Sequence, residues 1–347
     1  MSSTVTVGVA LPSYGSFGAR PWELLSEIAS TADRGGIEAL WLPDHLTLPA
    51  EDVRANGGKS RIDEPFDAWI LLAMLAAATQ RIRLGTEVTP LPLRQPALLA
   101  KAVATLDVLS GGRAMLGLGA GWYAEEFSGA GIPFNPYRIR LEQTREGAAV
   151  VRRLLSGEQV DATGAFYGFA GACARPVREG RRVPIWFGGR STAILRLVAE
   201  LGDGWITATN ASPEEVETGR DLLHELLRSA GRDPGEIKIA VPFITRVAAT
   251  TEAARDDVGF YVGRGAFTGF VKEFLEDATW RYGIWGSPEE CRRKLEPYVA
   301  LGVDHVILDV RPPDFALDSA ERICADLLPL LASSEAVTGL ERRGTGV

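Results

Sequence analysis

The sequence predicts an α/β fold, a (β/α)8 TIM barrel with insertions after strands at its C-terminal face. Three observations carry this. Strand-length apolar runs and segments of helical period alternate strictly along the 347 residues, giving eight strand–helix units. Four predicted helices end in a glycine device: Arg34-Gly35-Gly36, Ser110-Gly111-Gly112, Leu201-Gly202-Asp203-Gly204 and Leu301-Gly302. A left-handed glycine stops the helix, and an apolar strand begins one or two residues later. Longer connections fall after strands, where barrels of this kind carry their working loops. An open doubly wound sheet uses fewer units and a shorter chain.

Taken in order, the predicted strands are Val5–Leu11, Ile37–Leu42, Ile82–Val88, Ala114–Gly119, Val183–Phe187, Gly204–Ala208, Ile237–Ala248 and Asp304–Val310. The predicted helices are Trp22–Arg34, Phe66–Thr79, Pro96–Leu109, Arg138–Leu155, Thr192–Leu201, Pro213–Ser229, Pro288–Leu301 and Ser319–Leu331. Among the connections, Thr47–Pro65 is polar around Gly57-Gly58, and Trp122–Tyr137 carries aromatics and prolines. Glu158–Gly171 has the pattern of a small hairpin bearing Phe166, Tyr167 and Phe169, counted here with the loops of the working face. Gly259–Gly286, rich in glycine and aromatics, is the lid candidate. Residues 1–332 form one predicted domain, and 333–347 a polar tail expected to be flexible.

Composition narrows the function classes. Hydrophobic residues make up 46% and charged residues 24%, enough apolar material for a large core. The net charge of −8, from 45 acidic against 37 basic residues, is mixed along the chain, which argues against nucleic acid as a partner. The densest basic group, Arg178, Arg181 and Arg182, fits a solvated loop. Three widely spaced cysteines without a CxxC pair fit a reducing compartment, and no secretion or membrane-spanning pattern is visible. A cytoplasmic protein without a membrane partner is expected.

The most informative stretch is Gln80–Trp122, where two consecutive strands end in glycine-rich or polar backbone on one edge. Glycines there are expected to let a large planar or phosphorylated ligand approach the main chain. Gly117-Leu118-Gly119-Ala120-Gly121-Trp122 falls short of a dinucleotide fingerprint, because its sixth residue is Trp122 and its strand is fourth in the series. Gly188-Gly189-Arg190-Ser191-Thr192 opens a helix, so its free N–H groups offer an anion site, although Ser191 also serves as an ordinary N-cap.

Of three histidines, His224 lies among charges in a helix and His305 at the strand end opposite the working face. His45 closes the second strand on the working face beside Asp44, either as a proton-handling group or as a packed loop residue. One histidine does not make a metal site, and no nucleophile elbow or P-loop is present, so an organic cofactor is expected to supply the chemistry.

With Ala39–His45, Thr79–Trp122, Glu126–Arg140, Pro184–Ser191, Asp203–Ile206, Gly286–Cys291 and Gly302–Leu308 in view, the chain resembles the bacterial-luciferase-like family of flavin- and deazaflavin-dependent oxidoreductases. The segments follow the family's order across nearly the whole barrel. The resemblance implies reduced FMN or coenzyme F420, the latter favoured, bound at the strand C-terminal ends. It also implies a non-proline cis peptide at Glu87–Val88. By the family pattern Asp44 and His45 face the ring, and Thr86, Glu87, Val88 and Thr89 back it. Ala120 and Gly121 flank the ribityl chain, and Gly188, Gly189, Arg190 and Ser191 hold the phosphate. The sugar-phosphate dehydrogenase branch has a glutamate where this chain has Trp122, so Trp122 is expected to form a substrate wall, together with Tyr14 and Trp285.

The implied activity is hydride transfer from reduced F420 to a C=C, C=N or C=O group, or oxygen activation and monooxygenation with reduced FMN, on a small organic substrate. A non-catalytic flavin-binding barrel is the alternative. A homodimer and a separate flavin or F420 reductase are expected from the same resemblance.

Overall fold

Eight parallel staves close into a ring in the computed structural model, which describes residues 5–14, 17, 19–48, 65–263 and 269–332, with backbone alone for 260–263 and 269–275. In chain order the strands are β1 (Thr6–Ala10), β2 (Ala39–Leu42), β3 (Arg83–Thr86), β4 (Thr89–Pro90), β5 (Leu116–Gly119), β6 (Gln159–Thr163), β7 (Gly168–Cys173), β8 (Ile185–Gly188), β9 (Gly204–Ile206), β10 (Lys238–Val247), β11 (Ile284–Gly286) and β12 (His305–Asp309). The sheet runs β3-β2-β1-β12-β10-β9-β8-β5-β4, with β11 added beside β10. A parallel bridge between Leu84 and Ala114 ties β3 back to the entrance of β5 and closes the ring. β3 and β4 are two halves of one stave, interrupted at Glu87–Val88.

The helices that cover this ring are α1 (Pro21–Gly35), α2 (Ala68–Ala78), α3 (Pro96–Leu109), α4 (Ala124–Gly129), α5 (Tyr137–Leu155), α6 (Thr192–Leu201), α7 (Pro213–Ser229), α8 (Thr251–Gly263), α9 (Gly269–Tyr282), α10 (Pro288–Ala300) and α11 (Pro313–Arg322). Apolar residues on the outward faces of the strands and inward faces of the helices form one continuous core, from Val7 and Leu40 through Phe187 and Phe243 to Leu308. Among the described residues no helix is long and apolar enough to cross a membrane.

Inside the ring the packing is layered. Trp41 and Trp186 meet edge to face, 5.8 Å apart with planes at 84°. Room for them comes from strands that present no side chain: a Cβ on Gly85 falls 2.9 Å from Trp41, and one on Gly204 falls 2.1 Å from Trp186. Below them His305 accepts from Trp41 Nε1 at 3.0 Å. Its Nδ1 lies 2.7 Å from Thr6 Oγ1, so the neutral Nδ1–H tautomer satisfies both contacts. Burial pushes His305 down to about 3. Its place on the far side from the working face matches the sequence expectation.

The structure corrects four expectations. Gly202 is not left-handed; its φ is −84°, and it is needed because a Cβ would fall 2.9 Å from Val198 Cα. The last helix starts at Pro313, six residues before the predicted Ser319, and passes through a π-helical turn at Ile323–Leu327. The hairpin β6–β7 forms, but it precedes β8 rather than following a strand. Phe166 and Tyr167 therefore lie against the outside of α5, where Glu146 accepts their backbone N–H groups.

The lid candidate contains the end of α8, then α9 and β11. Its residues 264–268, most of the Thr47–Pro65 connection and the tail 333–347 lie outside the described residues. The fourth correction concerns the glycines of the working face and belongs to the site.

Candidate active site

Val88 is the floor of the C-terminal mouth. The Glu87–Val88 bond is cis, at the position the resemblance implied. A Cβ on Gly119 would fall 2.6 Å from Val88 Cγ2, and one on Gly188 or Gly117 would fall 2.7 or 3.1 Å from Cγ1. These glycines were expected to admit a ligand to the main chain. At Gly119 and Gly188 their space is taken by Val88, which reaches across and presents an apolar surface to the mouth, while at Gly117 the Thr86 carbonyl oxygen, 1.9 Å from a Cβ, takes it first.

The flanking threonines are fully buried and committed to structure. Thr86 Oγ1 donates to Gly117 O at 3.0 Å. Thr89 Oγ1 donates to Asp44 Oδ2 at 2.7 Å and receives Trp69 Nε1 at 3.2 Å. Only Glu87 and Val88 of this segment are partly open.

Asp44 is buried, at 1% exposure, and forms a fork with Arg94: Nε to Oδ2 at 3.0 Å and Nη2 to Oδ1 at 2.5 Å. Both carboxylate oxygens are thereby occupied, so the geometry makes Asp44 an anchor that fixes the loop after β2 rather than a group free to exchange a proton. Arg94, which sequence reasoning did not single out, is the other half of that anchor.

His45 is different. Its Nδ1 lies 3.2 Å from Glu126 Oε1, which also accepts Leu46 N at 2.6 Å. Glu126 is 1% exposed, and its second oxygen has no partner among the described residues. The carboxylate fixes the Nδ1–H tautomer, leaving Nε2 without a hydrogen-bond partner among the described residues. Trp122, half exposed, stands edge-on to the imidazole with centroids 5.8 Å apart. Glu126 sits in the short helix α4 just after β5, and no spacing in the sequence links it to His45.

Ala120 and Gly121 continue β5 and are pinned by Arg140, whose Nε and Nη2 donate to their carbonyls at 3.1 and 3.2 Å. Arg140 is buried, its guanidinium 3.9 Å from the Phe134 ring centroid. At the next strand end Gly189 takes a φ of 133°, and Trp205 Nε1 donates to its carbonyl at 2.7 Å. Ser191 caps α6 by accepting from Ile194 N at 3.3 Å, and its hydroxyl lies 2.8 Å from Tyr137 Oη. Arg190 beside it is exposed.

Tyr14 is buried near Leu48 and receives a hydrogen bond from Arg311 Nη1. Trp285 donates to Thr279 O at 3.0 Å and carries Lys294 Nζ 3.5 Å above its ring. Its contacts are with Thr279, Trp280 and Lys294 rather than with His45 or Trp122. The structure thus joins His45 to Trp122 and Glu126, sets Val88 against Gly119 and Gly188 at neighbouring strand ends, and holds Trp285 among other partners.

Comparison with known proteins places this geometry. The 5,10-methylenetetrahydromethanopterin reductase of Methanolobus tindarius is 28% identical over 319 residues, covering 82% of this chain and 89% of that protein. The F420-dependent glucose-6-phosphate dehydrogenase of Kineococcus radiotolerans is 26% identical, covering 88% and 92%. The crystal structure of the monooxygenase RslO1 from Streptomyces bottropensis superposes with a TM-score of 0.77 at 23% identity, covering 94% of this chain and 99% of that one. The family model of luciferase-like monooxygenases matches residues 3–305, and the chain belongs to that family.

Proposed function

We propose that this chain is an oxidoreductase that binds reduced F420 or reduced FMN over Val88 and acts on a small organic substrate, with F420 favoured. The observation that carries the proposal is the apolar Val88 floor, seated on Gly119 and Gly188, with the His45–Glu126 pair beside it. A flat ring system fits such a floor, and the polar groups around it are few and directed. Several curated relatives that cover most of their own length are F420-dependent dehydrogenases, which favours the deazaflavin.

Bound there, a reduced deazaflavin supplies a hydride to an unsaturated carbon, and a reduced flavin supplies electrons to dioxygen. His45 then holds or delivers a proton at Nε2, while Glu126 orients the ring. Trp122 shields that proton from water and forms one wall for the substrate. Ala120 and Gly121, fixed by Arg140, line the side of the mouth. Gly188, Gly189, Arg190 and Ser191 at the start of α6 hold the phosphate. Asp44 keeps His45 in place through the loop it anchors.

Cytoplasmic residence, a homodimer and a separate reductase supplying the reduced cofactor belong to the same proposal. A groove lined by Pro21, Trp22, Leu25, Phe66, Ile70 and Met74 supports pairing of chains.

Fluorescence titration of the purified protein with F420 and with FMN tests the proposal. Saturable binding of one of them is expected, and affinity for neither overturns it. His45→Ala separates an enzyme from a silent binder: turnover falls in the first case while cofactor affinity stays.

A further inference from the structure

The barrel interior contains a carboxyl pair that the chemistry assigned above does not use. Along β12 the side chains of His305, Ile307 and Asp309 alternate inward, as Ile307 packs with Trp41 inside the ring. Along β3 the inward positions are Arg83 and Gly85, because Gly85 faces Trp41, and Glu87, just past the end of β3, continues that alternation. Period two therefore sends Glu87 and Asp309 to the uppermost interior layer, one from each side of β1 and β2.

Their environments differ. Asp309, at 2% exposure, is gripped by Arg311, whose Nε lies 2.6 and 2.7 Å from its two oxygens and whose Nη2 joins them. The same guanidinium reaches Tyr14 Oη. Glu87 has no such cation, and its Oε2 is buried without a hydrogen-bond partner among the described residues. Burial, then the nearby Asp309 carboxylate, holds Glu87 well above the usual carboxylate range. Burial pushes Asp309 up as well, to about 8, in spite of Arg311, and Glu87, with no cation of its own, is the member of the pair whose neutral form the site favours most. A neutral carboxyl carries an O–H, and the unpartnered oxygen beside Val88 is where that donor lacks an acceptor.

Resting on the proposal that a flavin or deazaflavin ring lies over Val88, we infer that Glu87 and Asp309 form a proton-holding pair and that Glu87 donates a hydrogen bond to an acceptor atom on the edge of that ring. The site selects a ligand with a carbonyl oxygen or ring nitrogen at that edge, and binding weakens when Glu87 loses its proton. The other charged and titratable groups around it are already engaged: Asp44 with Arg94 beyond β2, Tyr14 with Arg311 beyond β1. The neighbouring ends of β5 and β8 contribute glycines and apolar residues.

Two experiments test this. In protein labelled with 13C at glutamate carboxyls, with Glu87→Gln identifying the resonance, Glu87 is expected to titrate well above the ordinary carboxylate range. Titration of every glutamate in the ordinary carboxylate range overturns the inference without any ligand. In FMN and F420 titrations across the pH range in which the Glu87 resonance moves, wild-type affinity is expected to fall as pH rises. Glu87→Gln, which keeps an N–H donor, is expected to flatten that dependence. Glu87→Ala is expected to bind roughly three- to tenfold more weakly on the acid side of that range. Ring binding that is independent of pH and unchanged in Glu87→Ala overturns the donor role alone. Binding of neither ring to the wild type overturns both this inference and the cofactor proposal.

Discussion

His45 and Glu126, separated by 81 positions in the chain, meet at 3.2 Å on the rim of the barrel. β2 delivers the histidine and the helix after β5 delivers the carboxylate, so the pair exists only once the ring has closed. The imidazole tautomer is thereby set by the fold rather than by solvent.

Removing either partner has separable effects. His45→Ala is expected to lower turnover by roughly 100-fold or more, the scale of a lost general acid or base. Glu126→Gln is expected to lower turnover less and to remove the preference for the Nδ1–H tautomer. Steady-state kinetics checks the first, and 15N spectra of the imidazole check the second. Unaltered 15N shifts in Glu126→Gln contradict the orienting role.

The Val88 floor makes a packing prediction. Gly119→Ala or Gly188→Ala places a methyl carbon 2.6 or 2.7 Å from a Val88 methyl, so each is expected to cost about 1–3 kcal/mol. Combining Gly119→Ala with Val88→Ala is expected to recover about 1 kcal/mol relative to the sum of the single changes. Urea denaturation of the four proteins of this cycle gives the coupling; simple additivity counts against the contact.

Asp44→Asn leaves Arg94 with only Asp67, at 3.3 Å, as a carboxylate partner. The expected loss of stability is about 1–3 kcal/mol, below the range for leaving a buried charge wholly unpaired. Chemical denaturation measures it. A variant of wild-type stability that loses only turnover assigns Asp44 to proton transfer instead.

His305 supplies a pH prediction. Its folded-state pKa is about 3, below the ordinary value near 6.5, because burial penalises the charged ring. The unfolded chain therefore takes up this proton first. The contribution to stability is complete above about pH 6.5, declines as pH falls, and levels off near the folded value. Urea midpoints between pH 8 and 4 are expected to decrease, and His305→Gln to remove part of that slope. A midpoint equally pH-dependent in the variant points to other groups.

What the sequence made legible was periodic or punctuated. Strand and helix order, the glycine stops and the cis peptide position follow from short-range pattern or family resemblance. His45 stood out because histidine is scarce. Glu126, Arg94, Arg140 and Asp309 did not: Glu126 and Arg94 act on residues of another stave, Arg140 on backbone some twenty positions away, and a lone charged residue is common on any surface. The strand-end glycines were visible, but their use was misjudged. Whether an empty strand position admits a ligand or a neighbouring side chain depends on what the adjacent stave projects, here Val88. The hairpin was placed on the wrong side because its sequence shows its turn but not which end of the barrel it occupies.

Gly119 and Gly188 beneath Val88 also constrain how this mouth can diverge. A larger residue at either competes for one volume already filled from another stave. Change at these sites must then be compensated: homologues lacking one of these two glycines are expected to carry a residue smaller than valine at the matching position. A paired substitution linking position 88 with β5 or β8 would record that shared volume in the family's history.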